Sequence, residues 1–238
     1  MSDRQSSARP ASLDRSGVKR IVQVLAIGVI LGVVLFVSAG RLDWPMAWVY
    51  VGLYFAGVLV NGIVLGRRSP ELINERGRGL RGTKSWDKVW VAISAPLPFI
   101  MLAVAGLDAG RFGWSLMPLP LAVAGLVTLV LGDAVIAWAM AANTYFSTTV
   151  RIQDDRGHRV VSSGPYRFVR HPGYVGMILI YLGTPIMLGS WWALIPGGLN
   201  GVAFIVRTAL EDRTLQDELS GYSDYAGRVP YRLLPGVW

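Results

Sequence analysis

The stretch PGYVGMILIYLGTPIMLGSWWALIPGGLNGVAFIVRTAL, Pro172 to Leu210, is close to twice the ~20 residues that one helix needs to cross a bilayer. Pro185, Gly189 and the Pro196-Gly197-Gly198 cluster interrupt it, so it predicts a tight helical hairpin that turns near Gly189-Ser190-Trp191-Trp192. A hairpin returns the chain to the side it left, which makes neighbours of the polar residues at its two ends. Those ends are SSGPYRFVRHP, Ser162 to Pro172, and RTALEDR, Arg207 to Arg213.

Upstream, apolar runs from about Ile21 to Ala39, Trp44 to Gly66, Val89 to Leu107 and Trp114 to Ala142 are each long enough to span ~30 Å of hydrocarbon. With the hairpin they predict an all-α integral membrane protein of five to six, about six, transmembrane helices. The last two form the hairpin, and a short cytoplasmic helix follows. The 238-residue composition agrees: 53% hydrophobic and 16% charged, against roughly 25% charged in soluble domains.

With both termini cytoplasmic, 21 of the 23 lysines and arginines fall in inside segments and only Arg41 and Arg111 fall outside, as the positive-inside rule requires. Trp44, Trp86, Trp114, Trp191 and Trp192 sit near the predicted interfaces. The membrane is a bacterial inner membrane or an endoplasmic reticulum. The net charge of +8 lies in short segments between apolar runs, so it marks orientation and not a nucleic-acid partner. Residues 1–20 read as a disordered cytoplasmic arm, 21–142 as the N-terminal transmembrane helices and 143–238 as the functional core. The first apolar run exceeds the 7 to 15 residues of a signal-peptide core and reads as a retained helix.

No cysteine is present, His158 and His171 are the only histidines, and no HExxH spacing occurs, so no metal centre is expected. GRGLRG, Gly77 to Gly82, fits a dinucleotide fingerprint but lies in a basic loop with no strand before it, and carries no nucleotide reading. Gly28-x-x-x-Gly32 and Gly52-x-x-x-x-Gly57 predict close helix contacts. Asp133, inside the fourth run, should face protein, either lining a cavity or bonding between helices.

The hairpin ends carry the chemistry. Pro172 suits the first position of a helix, with His171 at its cap, so free backbone N–H groups and the positive dipole end join Arg167 and Arg170 in an anion site. Gly173 and Gly176 leave room for a flat ligand, and Tyr166 or Tyr174 can stack on a ring. Glu211 and Asp212, one hairpin later, supply negative charge. Opposite charges with aromatic walls suit a zwitterion that also carries a ring and a cation.

GPYRFVRHPGYVG, LEDRTLQDEL and YSDYAGRVPYRLLPGVW together resemble the isoprenylcysteine carboxyl methyltransferase and phospholipid methyltransferase superfamily of integral membrane enzymes, over roughly Asn143 to the C-terminus. The resemblance implies S-adenosylmethionine as methyl donor. The family's RHPxYxG falls on Arg170, His171, Pro172, Tyr174 and Gly176, and its acidic pair on Glu211 and Asp212, the second departing from the usual glutamate. It implies that Arg167 or Arg170 holds the donor carboxylate and Glu211 the ammonium, that Tyr166, His171 and Asp212 complete the cofactor site, and that Arg170 and Glu211 are catalytic. A lipophilic acceptor would enter from the bilayer past Asp133, Asn143 and Tyr145; an isoprenylcysteine-like carboxylate, a lipid amine and a small hydrophobic thiol or acid all fit. The alternatives are a NADPH-dependent sterol-reductase-like oxidoreductase, which shares an RHPxY element and a VPYR-type tail, and a non-catalytic transporter or scaffold.

Overall fold

A computed structural model of the chain describes residues 12–238. Residues 1–11 of the expected arm lie outside the described residues, and the remainder joins the first helix sooner than expected. Helix α1 (Arg15–Ala39) starts at Arg15 because the Asp14 carboxylate caps it, accepting from Ser16 N at 2.7 Å and Gly17 N at 3.0 Å. It stops at Gly40, whose φ of 66° is open to glycine.

Helix α2 (Pro45–Arg68) returns, and the short α3 (Pro70–Gly77) follows. The third crossing, Ser85–Phe112, is built in pieces: α4 (Ser85–Ser94), α5 (Leu97–Ala105) and a π-helical turn over Gly106–Phe112. Helix α6 (Leu119–Ala142) begins five residues later than the apolar run that starts at Trp114, since Pro118 adopts an extended conformation before the helix (φ −62°, ψ 142°). Helices α7 (Pro172–Met187) and α8 (Leu194–Glu218) are the hairpin, turning over residues 188–193, and α9 (Tyr222–Arg228) closes the chain. Among the described residues every regular element is helical.

Four helical segments, α1, α2, Ser85–Phe112 and α6, are long and apolar enough to cross a membrane. The 16 residues of α7 reach only about 24 Å at 1.5 Å per residue, and α8 carries no charged residue before Arg207. Large apolar side chains such as Val33, Val37, Leu59 and Val202 point outward, as a lipid-facing surface requires, while Leu35, Leu102 and Ala105 fill the centre between α1 and α5.

Close packing of α6 on α7 sets where the hairpin stands. Gly125 and Gly132 on α6 face Gly183 and Gly176 on α7, a pair of seven-residue spacings. A Cβ on Gly176 would come within 2.6 Å of the Gly132 carbonyl oxygen, and one on Gly132 within 2.7 Å of the Gly176 carbonyl oxygen. Gly28 packs on Tyr54 and Phe55 of α2, but Gly52, expected at a helix contact, has nothing within 4 Å. At the hairpin turn, buried Asp108 accepts from the Ser115 and Ser190 hydroxyls, both at 2.6 Å, and from Ser115 N at 2.8 Å. Near the opposite end, Arg207 of α8 meets Asp87 of α4 at 3.0 Å and stacks on Trp90 at 4.2 Å. The hairpin is therefore fastened at both ends.

Candidate active site

The segment before α7 is pinned to the C-terminal tail by backbone bonds. Arg170 N donates to Tyr231 O and His171 N to Arg232 O, both at 3.0 Å. Tyr166 is buried in a short 3-10 turn, with Tyr225 Oη donating to its carbonyl at 2.6 Å and Asn143 Nδ2 to its hydroxyl at 3.1 Å. Pro172 opens α7 and His171 occupies the cap position, as the sequence predicts.

Asp212, fully buried, is where this end of the molecule converges. Arg170 donates from Nε to Oδ1 at 2.7 Å and from Nη2 to Oδ2 at 2.9 Å, the fork geometry that a guanidinium and a carboxylate favour. Tyr222 Oη donates to Oδ1 at 2.9 Å, while Gln216 Nε2 at 2.8 Å and Arg232 Nε at 2.9 Å donate to Oδ2. His171 Nε2 lies 3.1 Å from Oδ1. Burial alone would raise this carboxyl, but the bonds from His171, Arg170 and Arg232 win and hold it well below the usual carboxylate range. Arg170 spends its Nη1 on the carbonyls of Val229 and Pro230, at 2.7 and 2.8 Å. Four of its five N–H donors are thus used inside the protein, and its geometry is that of a residue which locks the tail beneath the site.

Glu211, the adjacent residue, has a different environment. It is half-buried, its Oε2 accepts from the Tyr174 hydroxyl, and it borders a cleft of about 810 Å³, counting the space open to solvent. The wall opposite comes from the loop after α6. Tyr145 and His158 pack ring against ring at 4.6 Å, Gln153 Nε2 donates to Tyr145 O at 2.8 Å, and His158 Nδ1 accepts from Gln153 N at 3.3 Å. Burial lowers the His158 imidazole below its usual range and outweighs the pull of Glu211 and Asp154, which favours the neutral ring that this last bond needs. Arg159, exposed and outside any ion pair among the described residues, stands at the rim.

Of the residues picked from sequence, Tyr166, Arg170, His171, Tyr174 and Glu211 line this cleft together. Arg167 does not: it is exposed and lies over the Phe168 ring at 4.8 Å, outside the cleft lining. Gly176 is turned toward α6 and serves helix packing instead of ligand clearance, and a Cβ on Gly173 would strike Phe146 at 2.5 Å. Asn143 and Tyr145, expected with Asp133 on an acceptor path, belong to the Glu211 cleft. Asp133 lines a second, apolar cleft of about 1930 Å³ between α1, α2, α6 and α7, again counting open space, with Gly57 of α2 facing it. His158, Gln153 and Arg159 were not singled out as cleft residues. The signal available was HRVV directly before the SSGPYR segment, a charged-then-apolar edge facing the same end.

Comparison with known proteins bears on this arrangement. Residues 123–217 match the model of the isoprenylcysteine carboxyl methyltransferase (ICMT) family. That segment is similar to the family. It contains most of α6, the loop, α7 and nearly all of α8, and so both Arg170 and Glu211. Similarity extends to a protein-S-isoprenylcysteine O-methyltransferase of Rattus norvegicus, 33% identical over 120 residues, covering 46% of this chain and 40% of the relative. The Homo sapiens enzyme of the same name is 32% identical over 149 residues, covering 58% of this chain and 48% of that one. The chain spans less than half the length of these two curated relatives. Its fold matches the solved structure of the eukaryotic intramembrane Ras methyltransferase ICMT, with a TM-score of 0.53 at 20% identity over 90% of this chain and 74% of that one. The chain therefore has the all-α fold of an integral membrane protein, and the segment similar to ICMT holds its charged cleft.

Proposed function

We propose that this chain is an S-adenosylmethionine-dependent methyltransferase of the membrane, acting on a lipophilic acceptor that enters from the bilayer. The observation that carries the reading is the approach of two clefts to each other near Phe146 and Arg76. The charged one has a carboxylate, an arginine rim and aromatic walls; the apolar one opens among the membrane helices. The similarities are to methyltransferases, which favours this reading over a reductase or a transporter. Both termini and the basic end would face the cytoplasm of a bacterial inner membrane or an endoplasmic reticulum, following the distribution of lysine and arginine.

The residues present fit the donor. Glu211, whose hydrogen bond in the protein is the one from Tyr174, can accept from an ammonium; the Tyr145–His158 face offers a stacking surface to a purine; Arg159 is placed for a carboxylate. When bound, S-adenosylmethionine supplies a methyl group on a sulfonium, already a good electrophile, so alignment and exclusion of water are what the protein must add. Tyr174 orients Glu211, and His171, stacked on Tyr174 with rings 3° from parallel, is held by Asp212. Arg170 acts through Asp212 and the tail as a positioning residue.

Glu211→Gln removes the charge and keeps the shape. Calorimetric titration should show donor affinity reduced by roughly ten- to a hundredfold, as for a lost charge-assisted hydrogen bond, with an unchanged melting profile. Wild-type affinity in this variant would remove Glu211 from the donor site.

A further inference from the structure

Arg207 and Glu211 stand one turn apart on α8, the spacing that puts two side chains on one helix face and at which an arginine and a glutamate ordinarily pair. Here they do not. Among the described residues Glu211 forms no ion pair. Arg207 turns instead to Asp87 of α4, with Nε 3.0 Å from Oδ1 and Nη2 donating to Oδ2 at 3.1 Å. Both partners are buried.

The same pair reaches the charged cleft through its wall. Asp87 Oδ2 accepts from Val150 N at 2.7 Å, Arg207 Nη2 donates to Thr148 O at 2.9 Å, and Lys84 N donates to Val150 O at 3.1 Å. Val150 and Thr149 line the cleft that Glu211 borders. Arg207 is not part of that lining: it lies behind Tyr174, 5.5 Å from the ring whose hydroxyl donates to Glu211. The pair is also incomplete, since Arg207 Nε and Asp87 Oδ1 make no hydrogen bond despite their closeness. A buried guanidinium that loses its counter-ion takes the next carboxylate within reach, and along α8 that carboxylate is Glu211.

We propose that Asp87 is a positioning residue for the donor site: by holding Arg207 it keeps the Glu211 carboxylate open to the donor's ammonium, and by holding Val150 it sets the facing wall. The identity of the ligand rests on the methyltransferase reading. The diversion of Arg207 from Glu211 does not, because it is a property of the donor-free protein. Asp87 lies on α4, outside the matched segment 123–217, and no motif pointed to it.

Two readouts on the full chain in detergent, donor affinity and melting, test this without turnover. Asp87→Asn removes the charge, while its amide oxygen can still accept from Val150 N. Arg207 should then pair with Glu211, and calorimetric affinity for S-adenosylmethionine should fall by roughly ten- to a hundredfold, as in Glu211→Gln. Adding Arg207→Gln leaves no cation to capture Glu211, and the double variant should bind the donor within about threefold of wild type. Wild-type affinity in Asp87→Asn, or a loss that Arg207→Gln does not restore, overturns the proposal. Should Asp87→Asn fail to fold, Arg207→Gln alone decides: near-wild-type donor affinity is expected, and a loss as large as that of Glu211→Gln would put Arg207 in the donor site and overturn it. Without donor, Glu211→Gln, silent in the wild-type background, should lower the melting temperature of the Asp87→Asn protein by about 2–4 °C. An unchanged melting temperature there overturns the diversion itself. Absence of donor binding by the wild type would count against the methyltransferase reading, and the melting comparison would still decide whether Asp87 keeps Arg207 from Glu211.

Discussion

Asp212 and Glu211 are adjacent on one helix and share a charge, yet the fold gives them opposite tasks. Asp212 has no exposure and both oxygens taken, so Asp212→Asn leaves Arg170 buried without its counter-ion. Breaking a buried pair in this way costs about 3–5 kcal/mol, and thermal unfolding in detergent should show a loss of that order. The pH response follows from the depressed carboxyl. A folded-state value below the unfolded value of about 3.9 means that the stabilisation is fully present above that pH and disappears only as pH falls through the lower value. Amide exchange at Arg170 and His171, whose N–H groups bond the tail carbonyls, should thus stay slow at pH 4. Release of those amides with a midpoint near 4 would contradict the assignment. The sequence pointed to Arg170 through its place beside a helix start. It could not reveal that Arg170 serves the tail, because two of its partners are backbone carbonyls of Val229 and Pro230, 59 and 60 residues away.

Among the elements, the α6–α7 seam decides where the site stands. Gly176→Ala should destabilise by about 1–3 kcal/mol, since its Cβ would meet the backbone of α6 and the helices would have to part. Gly52→Ala, at a glycine with nothing within 4 Å, should leave the melting temperature within error or slightly raised. Equal effects at the two positions would mean that the seam does not hold the hairpin. These two glycines also show what the sequence could and could not deliver. The hairpin and its turn were legible from length and from Pro and Gly punctuation. Which face of each helix meets protein was not, because nearly every face is apolar in a membrane segment and the amphipathic signal that orients soluble helices is missing. Gly176 consequently looked like room for a ligand, and Gly52 like a helix contact.

At the scale of the whole molecule, two clefts of opposite character approach each other across Phe146 and Arg76, one charged and aromatic, one apolar and lined by membrane helices. Neither follows from a local motif. The charged cleft needs the loop of Tyr145 to His158 folded over the hairpin ends, and the apolar cleft needs four helices to splay around Asp133. The sequence supplied the parts that local rules govern: helix starts, spans, and the return of two charged ends to one side. The proposed division of labour between the clefts belongs to tertiary structure.

That division is tested most directly by transfer of a labelled methyl group. The purified chain in nanodiscs, given methyl-labelled S-adenosylmethionine and N-acetyl-S-farnesylcysteine, should form a product whose label is released as methanol by mild base, the mark of a methyl ester. It should also be saturable in both reactants and lost in Glu211→Gln. Label fixed in a base-stable product on lipid amine, or no transfer by a protein that binds both reactants, would contradict it.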